Sequence, residues 1–148
     1  MGVKRFILNS DSFGISPDFN RAVLNGFNNG FLKSASLTTN GAAFESAVNE
    51  ILPECQKLSV GVHLNLTVGK SLTYSDLLTD DAGNFKHSFT ALWLNINKEN
   101  FLKQIEKEFR AQIEKVSGYL KPTHIDSMDD VHCIPEVFDL VCKLAVEY

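Results

Sequence analysis

The sequence has little of what marks several large classes of protein. It has three cysteines, an odd number without metal-type spacing, which favours a reduced, cytoplasmic chain over a disulfide-stapled one. Acidic residues outnumber basic ones by 18 to 14, and the basic residues are scattered, which argues against nucleic acid as a partner. Apolar runs stay far below the roughly 20 residues of a membrane span, so no membrane partner is expected.

The rest of the composition is that of an ordinary globular chain. Of 148 residues, 44% are apolar and 22% are charged, which suits about one domain. The apolar stretch near the amino terminus is too short for a signal peptide and lacks a cleavage site. The chain stops inside a helical pattern without a cap. We therefore expect residues 1–148 to form a single α/β domain that is the amino-terminal portion of a longer protein.

Apolar strand patterns and amphipathic helix patterns alternate four times along the chain. The strands are predicted at residues 4–9, 34–40, 59–65 and 123–127, and the helices at residues 17–30, 42–52, 98–117 and 135–148. Alternation of this kind predicts parallel strands with crossover helices. An open sheet and the first half of a barrel fit the pattern equally well. Residues 66–97 have no clean period and are either a substrate-binding excursion or a segment whose elements the pattern does not reveal.

Four ionisable side chains come at or near the ends of the predicted strands. Asp11 follows the first strand, His63 lies late in the third, and His124 and Asp126 lie in the fourth, with His132 in the loop after it. In α/β folds, ligands bind beyond the carboxyl ends of the strands. Taken singly, each residue reads as a turn, cap or core residue. Their convergence on one edge, with a carboxylate base and several imidazoles, favours a hydrolytic site.

The order and spacing of these residues resemble the YdjC-like carbohydrate deacetylases. The similarity covers essentially the whole chain. It rests on ILNSDSFGIS at residues 7–16, Asn20, SASL at 34–37, Asn40 with Gly41, GVHLNLT at 61–67, PTHIDS at 122–127, and Val131 with His132. The resemblance implies an irregular (β/α) barrel, of which this chain is the first part in a domain of about 250 residues.

The resemblance also implies a metal-dependent hydrolase that removes acetyl groups from N-acetylated sugars, such as chitooligosaccharides. A water on a divalent ion, Mg²⁺ or Zn²⁺, would attack the amide, with Asp11 as base and with His124, Asp126 and His132 in support. The implied metal ligands fall on His63, Ser12 and Met128. A serine hydroxyl and a thioether are poor ligands for a hard divalent ion, so we expect most of the metal affinity to be lost.

Two functions therefore stay open at the level of sequence. The first is deacetylation, with Asp130 or its neighbour Asp129 swinging in to rebuild the metal site. The second is a degenerate relative that binds carbohydrate without metal-dependent turnover. A homodimer is left open as well.

Overall fold

Four strands form one parallel sheet whose spatial order follows the chain, β1-β2-β3-β4. The computed structural model describes Gly2 and residues 4–148; Met1 and Val3, within the stretch where no signal peptide is expected, lie outside the described residues. The strands are β1 (Asn9–Phe13), β2 (Ser34–Leu37), β3 (Ser59–Leu64) and β4 (Ile125–Ser127). The predicted parallel α/β architecture is confirmed.

Helices follow each strand. They are α1 (Pro17–Asn28), α2 (Phe44–Ser46), α3 (Phe89–Asn95), α4 (Phe101–Ser117) and α5 (Pro135–Glu147). The helix predicted at 42–52 is broken up, because α2 continues as a π-helical turn at Ala47–Ile51 and a 3₁₀ turn at Leu52–Glu54. Another 3₁₀ segment, Met128–Cys133, joins β4 to α5. Within the described residues, none of the helices has both the length and the apolarity needed to cross a bilayer.

The first strand begins later than its apolar pattern predicts. Asn9 pairs with Ser34, the first residue of β2, so residues 4–8 have no neighbouring strand to bond. Phe6 and Ile7 in that stretch are exposed. As a consequence Asp11 lies inside β1. The prediction that it follows the first strand is wrong.

The two faces of the sheet differ in chemistry. Residues that alternate along the strands toward one face are apolar and fully or almost fully buried: Ala35, Leu37, Val60, Val62 and Leu64. Helix α1 packs near β1 and helix α4 packs on β3. The opposite face carries Asn9 and Asp11 from β1, Ser36 from β2 and Asp126 from β4. Every second side chain of a strand points to the same face, so the alternation of the strands collects these polar residues on one side of the sheet.

The segment between β3 and α3 is held by a buried carboxylate of α4. Glu108 is fully buried and accepts hydrogen bonds from the backbone nitrogens of Leu72 (2.9 Å) and Thr73 (2.8 Å). The hydroxyl of Thr73 and the side-chain amide of Gln112 also donate to it, at 2.6 and 2.8 Å. A buried carboxylate needs partners of this kind to offset its desolvation. The excursion that leaves the sheet two residues after His63 is thus fixed by α4.

Candidate active site

The polar face brings together four of the residues predicted from sequence. His63 of β3 lies directly opposite Asp126 of β4 in the parallel register. His124 comes just before β4, two residues before Asp126. Asp11, the middle residue of β1, is exposed. These side chains therefore meet across the face of the sheet, three of them inside strands and His124 just before β4, and not on loops beyond the strand ends.

Asp126 is the centre of the network. Its Oδ1 lies 2.7 Å from Nδ1 of His63, a ring that is almost completely buried. Its Oδ2 accepts a hydrogen bond from Oγ of Ser36 at 2.5 Å and a longer one from Nδ2 of Asn9 at 3.3 Å. A carboxylate on Nδ1 fixes the tautomer of a neutral imidazole, with the proton on Nδ1 and the lone pair on Nε2.

Asn9 and Ser36 belong to the site and were not identified from sequence. Nδ2 of Asn9 donates to Oδ1 of Asp11 at 2.6 Å and to Oγ of Ser36 at 2.8 Å. Because carboxylates accept and never donate, the amide must turn its nitrogen toward Asp11 and Asp126. The two positions could have been found by their spacing, since Asn9 precedes Asp11 by two residues and Ser36 lies within an alternating polar pattern.

Gly61 lets the ring of His124 cross β3. A Cβ at this position would lie 2.5 Å from both Cδ2 and Nε2 of that ring and 2.6 Å from the His124 carbonyl oxygen. With no side chain there, Nε2 of His124 reaches Oγ of Ser36 on β2 at 3.0 Å. The site is therefore continuous from β1 to β4.

The environment of Asp126 affects its pKa in two directions. Burial raises the pKa of this carboxyl, but hydrogen bonds from His63 and Ser36, with the charges of His63 and His124, outweigh burial and leave it below the ordinary value of 3.8. A carboxyl whose pKa is lowered by folding stabilises the fold above its unfolded-state pKa. That contribution is lost as the pH falls through the lower, folded-state pKa.

We expect wild-type protein to lose more stability than Asp126→Asn on acidification, because the asparagine has no charge to lose. Urea unfolding of both proteins at neutral pH and below pH 3.8 measures the difference. Equal losses in the two proteins would show that Asp126 is not held in its charged form by this network.

A cavity of about 630 Å³ opens on the polar face. Asn9, Asp11, His124 and Asp126 contribute to its wall. The remaining lining residues are Ile7, Lys33, Ser34, Ser59 and Thr123. Its volume suits a small ligand, and its wall offers carboxylate, hydroxyl and amide groups that can hydrogen-bond to sugar hydroxyls.

The other predicted site residues lie around this network without joining it by a described hydrogen bond. His132 bonds through Nδ1 to Oγ of Ser127 at 2.6 Å. Ser12 lies in an irregularity of β1, where the register with β2 shifts between Ser10 and Phe13. A bulge of this kind lets two residues of one strand face one residue of its partner.

The loop after β4 has an unusual backbone. Asp129 and Asp130 both have left-handed φ angles, 52° and 53°, which cost non-glycine residues about 1–2 kcal/mol each. The carboxylate of Asp129 accepts a hydrogen bond from Oγ1 of Thr67 at 2.7 Å, so it is directed to the segment after β3. Met128 is partly buried at the start of this loop. Strained turns of this kind concentrate at functional sites.

The donor set does not fit the divalent ion that the sequence resemblance implies. Among residues 2 and 4–148, no three or more His, Cys, Asp or Glu side chains are grouped so as to hold an ion. A metal site rebuilt by Asp130 or Asp129 with His63 stays a prediction. The two other implied positions carry the hydroxyl of Ser12 and the thioether of Met128, which are weak donors for Mg²⁺ or Zn²⁺.

The fold and the polar cavity define an α/β protein with a candidate hydrolytic site on the face of a parallel sheet. The sequence model of the family described as "YdjC-like protein" matches residues 5–148. The chain belongs to this YdjC-like family.

Named relatives agree with the family. A carbohydrate deacetylase of Clostridium beijerinckii is 39% identical over 146 residues, which are 97% of this chain and 57% of that protein. Carbohydrate deacetylase 1 of Listeria innocua is 36% identical over 97% of this chain and 58% of its own length. The chain thus spans somewhat more than half the length of these relatives.

A solved structure shares the fold. The crystal structure of a cellobiose-phosphate cleavage protein from Enterococcus faecalis V583 matches with a TM-score of 0.84 and 26% identity. The match covers 96% of this chain and 55% of that one.

Proposed function

We propose that this chain carries a carbohydrate-deacetylase pocket for an N-acetylated sugar, with Asp11 as its general base. The observation that supports this most is the placement of Asp11. It is the exposed carboxylate of the cavity, and Asn9 holds its Oδ1 at 2.6 Å. The relatives named carbohydrate deacetylases supply the reaction class.

The chemistry asked of Asp11 is proton transfer during amide hydrolysis. A water attacks the acetyl carbonyl carbon while Asp11 takes its proton, and the C–N bond then breaks. Asp11 returns the proton to the leaving amine, so that acetate and an amino sugar are released. Asp126 and His124 keep the neighbouring side chains in place, and His132 is expected to support the site from the loop after β4. No step is assigned to a metal, because the donors present do not fit one.

We also propose a type of sugar and a cellular compartment for this protein. The sugar would be of the chitooligosaccharide type, since the carboxylate, hydroxyl and amide groups of the cavity wall can hydrogen-bond to its hydroxyls. The free cysteines Cys55, Cys133 and Cys142 suit the reducing cytoplasm. A homodimer and a longer parent domain stay predictions.

Asp11→Asn should remove nearly all acetate release from N,N′-diacetylchitobiose. An amide keeps the shape and the Asn9 contact area but cannot accept the proton. General-base catalysis contributes about 100-fold to 10,000-fold, so a loss in that range is expected. Acetate is measured with a coupled enzymatic assay under saturating sugar.

Asp81→Asn is the matched control, since it makes the same change in an exposed turn outside the cavity. Its activity should equal that of the wild type. Acetate release by Asp11→Asn at the wild-type rate would refute the assignment of the base.

A second candidate is carbohydrate binding without turnover. It is favoured by the donor set, since Ser12 and Met128 stand at two of the three implied ligand positions. Under this function the protein binds diacetylchitobiose, seen by calorimetry, with affinity that Asp11→Asn leaves within a few-fold. Binding without any acetate release would decide for this second candidate.

A further inference from the structure

Ser36 occupies the crossing point of the polar network. It lies in β2, its residue surface is fully buried, and its hydroxyl contacts side chains from β1 and from the β4 segment. The partners are Asp126 at 2.5 Å, Asn9 at 2.8 Å and His124 at 3.0 Å. A buried hydroxyl without access to the cavity cannot touch a substrate, so any role it has must act through its neighbours.

The hydrogen-bonding capacity of a hydroxyl fixes the direction of all three contacts. A serine has one proton and two lone pairs. The carboxylate of Asp126 can only accept, so it takes the proton. The amide nitrogen of Asn9 can only donate, so it uses one lone pair. The second lone pair then faces His124, which must donate from Nε2.

The same reasoning fixes two imidazoles. His124 therefore carries its proton on Nε2, and its Nδ1 lies 2.9 Å from Oγ1 of Thr123. Asp126, held at Oδ2 by Ser36, keeps Oδ1 on Nδ1 of His63. The lone pair of His63 is therefore on Nε2. Ser36 thus bonds both to His124 and to the carboxylate that orders His63.

We propose that Ser36 is a positioning residue that sets the tautomer of His124 directly and holds Asp126 in place against Nδ1 of His63. The proposal rests on the proposed function for its catalytic consequence, since it deepens the account of the same site. Its structural content, the pair of tautomers, stands without any turnover.

The first test uses the unmodified protein. Long-range ¹H–¹⁵N NMR spectra of histidine side chains distinguish Nε2–H from Nδ1–H rings. We expect Nε2–H for His124 and Nδ1–H for His63 at a pH where both rings are neutral. A neutral His124 with its proton on Nδ1 would overturn the proposal whatever the variants do.

The second test removes the hydroxyl. In Ser36→Ala, His124 should become a mixture of tautomers, while Ser36→Thr, which keeps a hydroxyl, should restore the Nε2–H form. Ser75→Ala is the matched control, because Ser75 is also a buried serine but lies in the excursion and bonds to Gln104 of α4. It should leave both histidine spectra unchanged.

The third test measures the kinetics of acetate release. Outer-shell partners of metal-ligating histidines typically contribute about 10-fold to 100-fold to activity, and we expect an effect in that range for Ser36. Ser36→Ala should lower kcat of acetate release by that factor with KM unchanged. A folded Ser36→Ala with wild-type tautomers and wild-type kcat would overturn the proposal. Absence of acetate release in the wild type would defeat the proposed function but not the tautomer assignment, so the two failures are distinguishable.

Discussion

Gly61→Ala is expected to destabilise the protein and to break the site at the same time. The added methyl would meet the His124 carbonyl oxygen at 2.6 Å and its ring at 2.5 Å. The ring could turn away, but the carbonyl is fixed by the backbone bond from Val62 at 3.0 Å. The β4 segment would therefore have to move away from β3. Forcing extra volume into a packed site costs about 1–3 kcal/mol.

The stability effect is read by thermal unfolding and the site effect by NMR. For a chain of this size, each kcal/mol lowers Tm by about 2–4 °C. Gly118→Ala is the control, because the nearest atom to its added methyl is 3.5 Å away, an ordinary contact. Its Tm should be unchanged or slightly raised. A Gly61→Ala protein with wild-type Tm and an unshifted His124 spectrum would show that this close packing is not present in solution.

The fold was largely predictable because its elements are long or strongly patterned. The stripe of helix α4 and the Pro17 start of α1 have local causes that a sequence displays, including the Ser16 hydroxyl that accepts from the Phe19 nitrogen. The start of β1 was not predictable in this way. Phe6 and Ile7 look like strand residues, but a parallel strand needs a neighbour, and β2 begins only opposite Asn9. Helix α3 was missed because seven residues barely show a period.

The site was predictable for its charged members and not for those that connect them. Asp11, His63, His124 and Asp126 are chemically conspicuous, and alternation places them on one face. Ser36, Asn9 and Gly61 gain their roles from contacts across strands, which depend on register. The sequence does not distinguish Ser36, whose hydroxyl makes three hydrogen bonds, from any other strand serine. The distinction requires the positions of Asn9, His124 and Asp126 in the fold.

Ser12→Asp combined with Met128→His is expected to create a divalent-metal site that we expect the wild type to lack. The bulge in β1 places Ser12 beside Asp11, and Met128 follows β4 two residues beyond Asp126. The substitutions supply a carboxylate and an imidazole at the two positions that the resemblance pairs with His63, whose Nδ1 is held by Asp126 at 2.7 Å. A histidine oriented by a carboxylate is a strong ligand through its other nitrogen. Together these would make the three protein ligands typical of a catalytic zinc site.

Titration of Zn²⁺ followed by calorimetry should show one equivalent bound to the double variant and no stoichiometric binding to the wild type. Ser12→Asn with Met128→Leu is the matched control. Its side chains are close in size to those of the double variant but supply no anionic or imidazole donor, so it should behave like the wild type. Acetate release from diacetylchitobiose should rise in the double variant on adding Zn²⁺, because a bound ion lowers the pKa of its water and polarises the amide carbonyl. One equivalent of zinc on the wild-type chain would refute the inference that Ser12 and Met128 have removed the site. A different result is that the double variant binds zinc and still releases no more acetate than the wild type. That result would show that the sugar is not held against Asp11, since the ion would be present without a positioned substrate.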